Sequence, residues 1–123
     1  MAKKLTITEI LERKKAIEPL ADSYFSEYLG TEIEIKKTKP KRIFDIIETQ
    51  KDDYYKCYLK LIYECCPLFQ AQELVEEYHP VEPFDVVEKL LDGNMKEIFE
   101  LGNLIMKKYG LVPRDGVKNL KNE

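Results

Sequence analysis

The 123-residue chain has no tryptophan and a single histidine, His79. Its five glycines (30, 93, 102, 110 and 116) each stand alone, so there is no glycine-rich loop to wrap a phosphate in backbone N–H groups. No apolar run approaches the ~20 residues that span a bilayer. Residues 1–5 carry the positive charge of a secretory leader, but Thr6, Thr8 and Glu9 interrupt before any apolar stretch can follow. A cytosolic chain without a membrane partner is expected. A basic excess is also missing: 20 Lys and Arg stand against 23 Asp and Glu, a net charge of −3, whereas a nucleic-acid binder ordinarily shows a basic face. The one short basic cluster, Lys36, Lys37, Lys39, Lys41 and Arg42, reads as a solvated turn between two elements, and no nucleic acid is expected as partner.

Cysteines number only three, an odd count for a disulfide framework. Cys57, Cys65 and Cys66 all fall in or at the end of one predicted helix. Zinc ordinarily takes two well-spaced ligand pairs, which one histidine and these cysteines do not supply. Reduced, metal-free, largely buried thiols are expected. Nucleophilic catalysis needs a Ser, Cys or Thr beside a base with an orienting third group. His79 is pinned between Tyr78 and Pro80 at a helix end, where a dipole partner or turn residue is the plainer role. Carboxylates pair as Asp52-Asp53, Glu76-Glu77 and Glu97/Glu100, but the first suits a helix N-terminus and the second a solvated face. The expectation is a protein that is not an enzyme, with no cofactor and no small-molecule substrate.

What the chain does have is apolar and aromatic mass. Hydrophobic residues make up 44%, with 8 Tyr and 5 Phe, and charged residues 35%. At this length a single domain is expected, burying about two-thirds of the surface its unfolded form exposes. Thr6-Ile7-Thr8-Glu9 matches a capping box, and Ile7, Ile10 and Leu11 at helical spacing predict a helix over 7–16, ended by Pro19. Glu32-Ile33-Glu34-Ile35-Lys36 alternates with period two, the mark of a half-buried strand. Its partner must lie in 22–29, with the turn at Leu29-Gly30-Thr31. Everything beyond Thr38 reads as helical. Pro40 suits a first helical position, with Ile43, Phe44, Ile46 and Ile47 as the apolar face to residue 48. Asp52 can cap a helix over 53–65 that Pro67 stops. A short helical turn follows over 70–78. Pro83 opens a helix over 83–91, and Asn94 caps a last one over 94–109 that Gly110 closes. Residues 111–123 have no periodicity and read as a disordered tail.

The fold class is therefore mainly α: one compact helical domain over 1–110, about five helices with a small N-terminal β-hairpin. Tyr54, Tyr55, Tyr58 and Tyr63 lie on one predicted helix but spread round more than one face. Tyrosine joins an apolar body to a polar tip and suits surfaces that are alternately buried and wet. Core packing accounts for some of the four, and the others mark a candidate protein-binding face. Ile33 and Ile35 mark a second candidate, because an exposed edge strand offers unpaired backbone groups to another subunit.

The order of these features resembles the phage tail assembly chaperones of the XkdN-like group, from phages and prophages of Gram-positive bacteria. The resemblance covers about residues 5–110. It begins with the short helix Glu9-Ile10-Leu11-Glu12-Arg13-Lys14-Lys15, then Leu29-Gly30-Thr31-Glu32-Ile33-Glu34-Ile35, with Thr31 where the family usually has a second glycine. The turn Lys37-Thr38-Lys39-Pro40 leads to a helix. The most specific part is C-terminal: Tyr63-Glu64-Cys65-Cys66-Pro67-Leu68-Phe69, then Glu73-Leu74-Val75-Glu76-Glu77-Tyr78, then Glu82-Pro83-Phe84-Asp85-Val86-Val87-Glu88-Lys89-Leu90, and a final helix ending Lys108-Tyr109-Gly110. These motifs describe packing and turns rather than a reactive centre.

The resemblance implies a non-enzymatic chaperone of phage tail assembly and virion morphogenesis. Such a protein binds the tape measure protein, keeps it soluble, and helps recruit tail tube protein subunits. It implies self-association, a place in the cytoplasm of the bacterial host and absence from the mature virion. It also implies a second, longer product made by ribosomal frameshift. Val117-Lys118-Asn119 and Leu120-Lys121-Asn122 are both compatible with the slippery heptamer A-AAA-AAC, which would make residues 111–123 a linker in a long form. The alternative function class is a small helical adaptor or transcription-regulatory protein. That class needs Arg, Asn or Gln at base-reading positions of a helix, whereas the helix over 94–109 offers Lys96, Lys107 and Lys108 among acidic and polar groups.

Overall fold

Thr6 opens the first helix as its sequence pattern requires. Its hydroxyl accepts the Glu9 N–H while its own N–H donates to the Glu9 carboxylate, so two orphan donors are satisfied reciprocally. Helix α1 then runs Ile7–Ala16. In the computed structural model, which describes residues 4–17 and 22–112, this helix buries none of its side chains.

Strands β1 (Ser23–Ser26) and β2 (Thr31–Glu34) form the expected antiparallel hairpin, in a register that pairs Ser23 with Glu34 and Ser26 with Thr31. The turn occupies residues 27–30, earlier than the Leu29-Gly30-Thr31 placement. Ser26 explains the shift, because its Oγ accepts the Leu29 N–H and its carbonyl the Gly30 N–H, closing the loop locally. Gly30 takes the left-handed conformation at φ 71°, leaving Thr31 an ordinary strand residue. A second glycine beside Gly30 is therefore not needed here.

Helices α2 (Pro40–Thr49) and α3 (Tyr54–Cys65) follow. Asp53, not Asp52, caps α3, its carboxylate accepting the Lys56 N–H. Beyond Cys65 the chain makes a 3₁₀ turn over Pro67–Gln70, which the sequence reading did not include, and then α4 (Gln72–Tyr78). Gln70 reaches back to donate to the Tyr63 carbonyl, which closes the end of α3 in place of another helical turn. Helix α5 is Asp85–Leu90, shorter than the 83–91 expected. Pro83 sits in the preceding turn, where the Asp85 carboxylate accepts the Glu82 N–H. Asn94 caps α6 (Met95–Lys108), and Gly110 ends it at φ 72°.

Helix α3 is the axis of the core. It buries Cys57, Tyr58, Leu59, Leu61, Ile62 and Cys65, packed against Ile98, Leu101, Ile105 and Met106 of α6, Val86 and Val87 of α5, Ile43 of α2 and the hairpin's Ile33 and Ile35. All three cysteines are buried free thiols. The hairpin is tied to α6 by the carboxylates at 97 and 100: buried Glu97 accepts from Ser26 Oγ and the Tyr28 N–H, and Glu100 from the Tyr24 hydroxyl. The tail expected over 111–123 falls largely outside the described residues; Leu111 and Val112 leave α6 exposed.

Candidate protein-binding surfaces

The four candidate tyrosines separate into three environments. Tyr58 is fully buried, with its ring against Gly102 and its hydroxyl donating to Asn103. It belongs to the core and not to a binding face, because it lies on the side of α3 that meets α6. Tyr54 and Tyr55 are half-buried, with ring centroids 6.0 and 6.4 Å from that of Phe99. The Tyr55 hydroxyl donates to Glu88, and burial, then this carboxylate, pushes its pKa up. Tyr63 stands apart, lining a shallow depression with Arg42, Ile46, Lys60, Glu64 and Phe84. The structure thus gathers Tyr54, Tyr55 and Tyr58 around Phe99 and leaves Tyr63 on another face.

Ile33 and Ile35 point into the core at 1% and 3% exposure. Ile35 N–H donates to the Asp22 carbonyl, and Lys36 N–H to the Cys65 carbonyl at the end of α3. Any pairing along this edge would use main-chain groups alone. Proline at 33 or 35 would remove a core side chain as well as a donor, so it tests folding rather than association.

Two apolar surfaces were not singled out from sequence. The first is a groove of about 260 Å³ lined by Pro40, Ile43, Phe44, Ile47, Tyr109 and Leu111. Its floor is Ile43, the one fully buried residue of α2, while Phe44 stands 61% exposed on its rim. Tyr109 forms the far wall and is fixed there: its hydroxyl accepts the Thr38 N–H at 2.6 Å and donates to the Thr38 carbonyl at 2.9 Å. Lys37 Nζ lies 5.2 Å from the Tyr109 ring centroid. A usable signal was present, since at ~100° per residue Ile43, Phe44, Ile46 and Ile47 cover an arc of roughly 160°, wider than one core contact requires. The second surface is α1, whose Ile7, Ile10 and Leu11 form a stripe at 71%, 45% and 53% exposure.

Several polar groups of the kinds found in reactive centres elsewhere are engaged in holding the fold. Asp53 caps α3, Glu97 and Glu100 hold the hairpin, and Arg42 Nε and Nη2 grip both oxygens of Glu64 at 2.6 and 3.0 Å. His79 is the left-handed C-cap of α4, at φ 46°. Burial pushes the Cys65 thiol up to about 11 and Cys66 higher still, so both are protonated at neutral pH and poor nucleophiles. Among the described residues no group of three or more His, Cys, Asp or Glu could hold a metal ion. Nor is any helix among them long and apolar enough to cross a membrane. Compared with known proteins, the chain matches no family model, no curated protein and no solved structure.

Proposed function

We propose that this chain is a non-enzymatic binding protein, a phage tail assembly chaperone that holds the helical tape measure protein in solution until tail tube subunits replace it. The observation that carries the reading is the pair of exposed apolar surfaces, the α1 stripe and the Phe44 groove, on an otherwise well-filled fold. Contiguous exposed apolar area of this kind marks sites for protein partners, and an apolar groove beside a helix suits an amphipathic helical client read at i, i+3, i+4 and i+7. The structural use of Asp53, Glu97, Glu100 and Arg42 favours binding over catalysis. The sequence resemblance names the client: a long helical chain with apolar stripes that would aggregate alone.

The test is titration calorimetry with synthetic amphipathic segments of a phage tape measure protein. Binding with a negative heat-capacity change, weakened at least tenfold by Phe44→Asp, is the expected result. Equal binding of a scrambled, non-amphipathic peptide would defeat the reading.

A further inference from the structure

Tyr63 lines a shallow depression of about 310 Å³ where α2, α3 and the turn before α5 meet, and it shares no lining residue with the Phe44 groove. Its apolar part is Ile46, Tyr63 and Phe84, all half-buried. The ammonium groups of Lys56 and Lys60 both lie over the Phe84 ring, 5.7 and 5.2 Å from its centroid. One turn apart on α3, they repel each other. Neither has a carboxylate within ion-pair distance among the described residues. Arg42 and Glu64 neutralise one another at the rim and take no part. Glu82 is the other carboxylate of the lining, and it pairs with neither lysine.

We propose that this depression receives a short acidic and apolar segment of a partner polypeptide, with a carboxylate between Lys56 and Lys60 and an apolar side chain against Phe84 and Ile46. The face of an aromatic ring attracts a cation but leaves its charge uncompensated. A carboxylate between the two ammonium groups would relieve their repulsion and accept a charge-assisted hydrogen bond from each. The volume sits at the lower edge of pockets that enclose small molecules, about 300–1,000 Å³. An open hollow of that size suits side chains presented by a polypeptide. A phosphate backbone fits poorly, because Glu64 and Glu82 line the same hollow and the chain carries a net charge of −3. The site is separate from the α1 stripe and the Phe44 groove, and its test contains no tape measure segment.

The test is an amide-shift titration of the full-length, ¹⁵N-labelled chain with an acetylated, amidated octapeptide of Glu-Glu-Leu-Leu repeats. Extended, each face of this peptide alternates acid with leucine. Shifts should cluster at residues 46, 56–63 and 84, and fade as salt rises from about 0.05 to about 0.5 M. Lys60→Glu should weaken binding at least about fivefold, and Lys60→Gln less. Glu82→Gln should strengthen it about twofold by removing a like charge, an effect that mere structural damage would not produce. Phe44→Asp should leave it unchanged. A Lys-Lys-Leu-Leu or Glu-Glu-Ser-Ser repeat that binds as well overturns the proposal, as does an oligothymidylate that moves the same amides more strongly. So does binding indifferent to Lys60→Glu in a chain whose helical circular dichroism is intact.

Discussion

Gly102 lies directly under the ring of Tyr58: a Cβ there would stand 2.8 Å from the ring's Cγ and 2.9 Å from Cε2, and closer still to Cδ2. The contact lies between α3 and α6, and Phe99, one turn earlier, has its ring centroid 5.5 Å from that of Tyr58. Gly102→Ala gains about 1 kcal/mol of helix propensity but forces a buried ring to move, an overpacking cost of about 1–3 kcal/mol. A net loss of about 1–2 kcal/mol is expected, read as a lower urea midpoint at unchanged slope. Stabilisation by this substitution would show that the two helices have room to part.

Glu97 gives a second outcome. Its buried carboxylate is the acceptor for both Ser26 Oγ and the Tyr28 N–H. Glu97→Ala leaves both donors without a partner, a cost of about 2–4 kcal/mol. Glu97→Gln keeps one acceptor oxygen and should cost less. Amide hydrogen exchange at Tyr28 should speed up in the alanine variant, and exchange unchanged from wild type would mean that the hairpin does not depend on this latch.

Much of this was legible in the sequence, and the misses have physical causes. The capping box at Thr6 and Glu9, the alternation around Ile33 and Ile35, and the caps at Asn94 and Gly110 are local signals whose partners lie a few residues away, so they gave the mainly helical fold with its hairpin. Tyr58 could not be separated from Tyr54 and Tyr55 in the same way. All three sit on one helix, and only the placement of Gly102, 44 positions downstream, decides which is engulfed. The groove was hidden for a related reason. Phe44 reads as core beside Ile43, and its exposure depends on where Tyr109 and Leu111 come to rest. Glu97 and Glu100 looked like a bare carboxylate spacing until the hairpin supplied Ser26, Tyr28 and Tyr24 as donors.

Stability should fall at alkaline pH. Burial raises the pKa of Cys65 from 9.0 to about 11, and those of Cys66, Tyr24 and Tyr55 also rise, desolvation being the largest cause in each. The unfolded chain therefore loses these protons first. The contribution is whole below pH 9 and is lost as pH climbs toward the folded values, with the unfolded state binding fewer protons throughout. Urea midpoints should be flat from pH 7 to about 8.5 and drop steadily from about 9 to 11. A midpoint rising across that window would contradict the burial of these groups.

Substitution at Phe44 tests the proposed binding apart from folding. It is 61% exposed, so Phe44→Ser should shift stability by no more than about 0.5 kcal/mol while removing the largest apolar contact the groove offers. Thermal melting beside calorimetry with the amphipathic peptide reads both effects on one sample. Lost stability with retained binding would place the working surface elsewhere.

The central claim is that the exposed apolar faces keep a helical client soluble. Its most direct measurement is the soluble fraction of the proposed client, a phage tape measure protein, expressed in bacteria with and without this chain. The account predicts that the client is insoluble alone, becomes soluble and copurifies with the wild-type chain, and returns to the pellet with a Leu11→Asp/Phe44→Asp double variant that is itself folded. A client equally soluble in all three cases, or rescued as well by the double variant as by wild type, would contradict it.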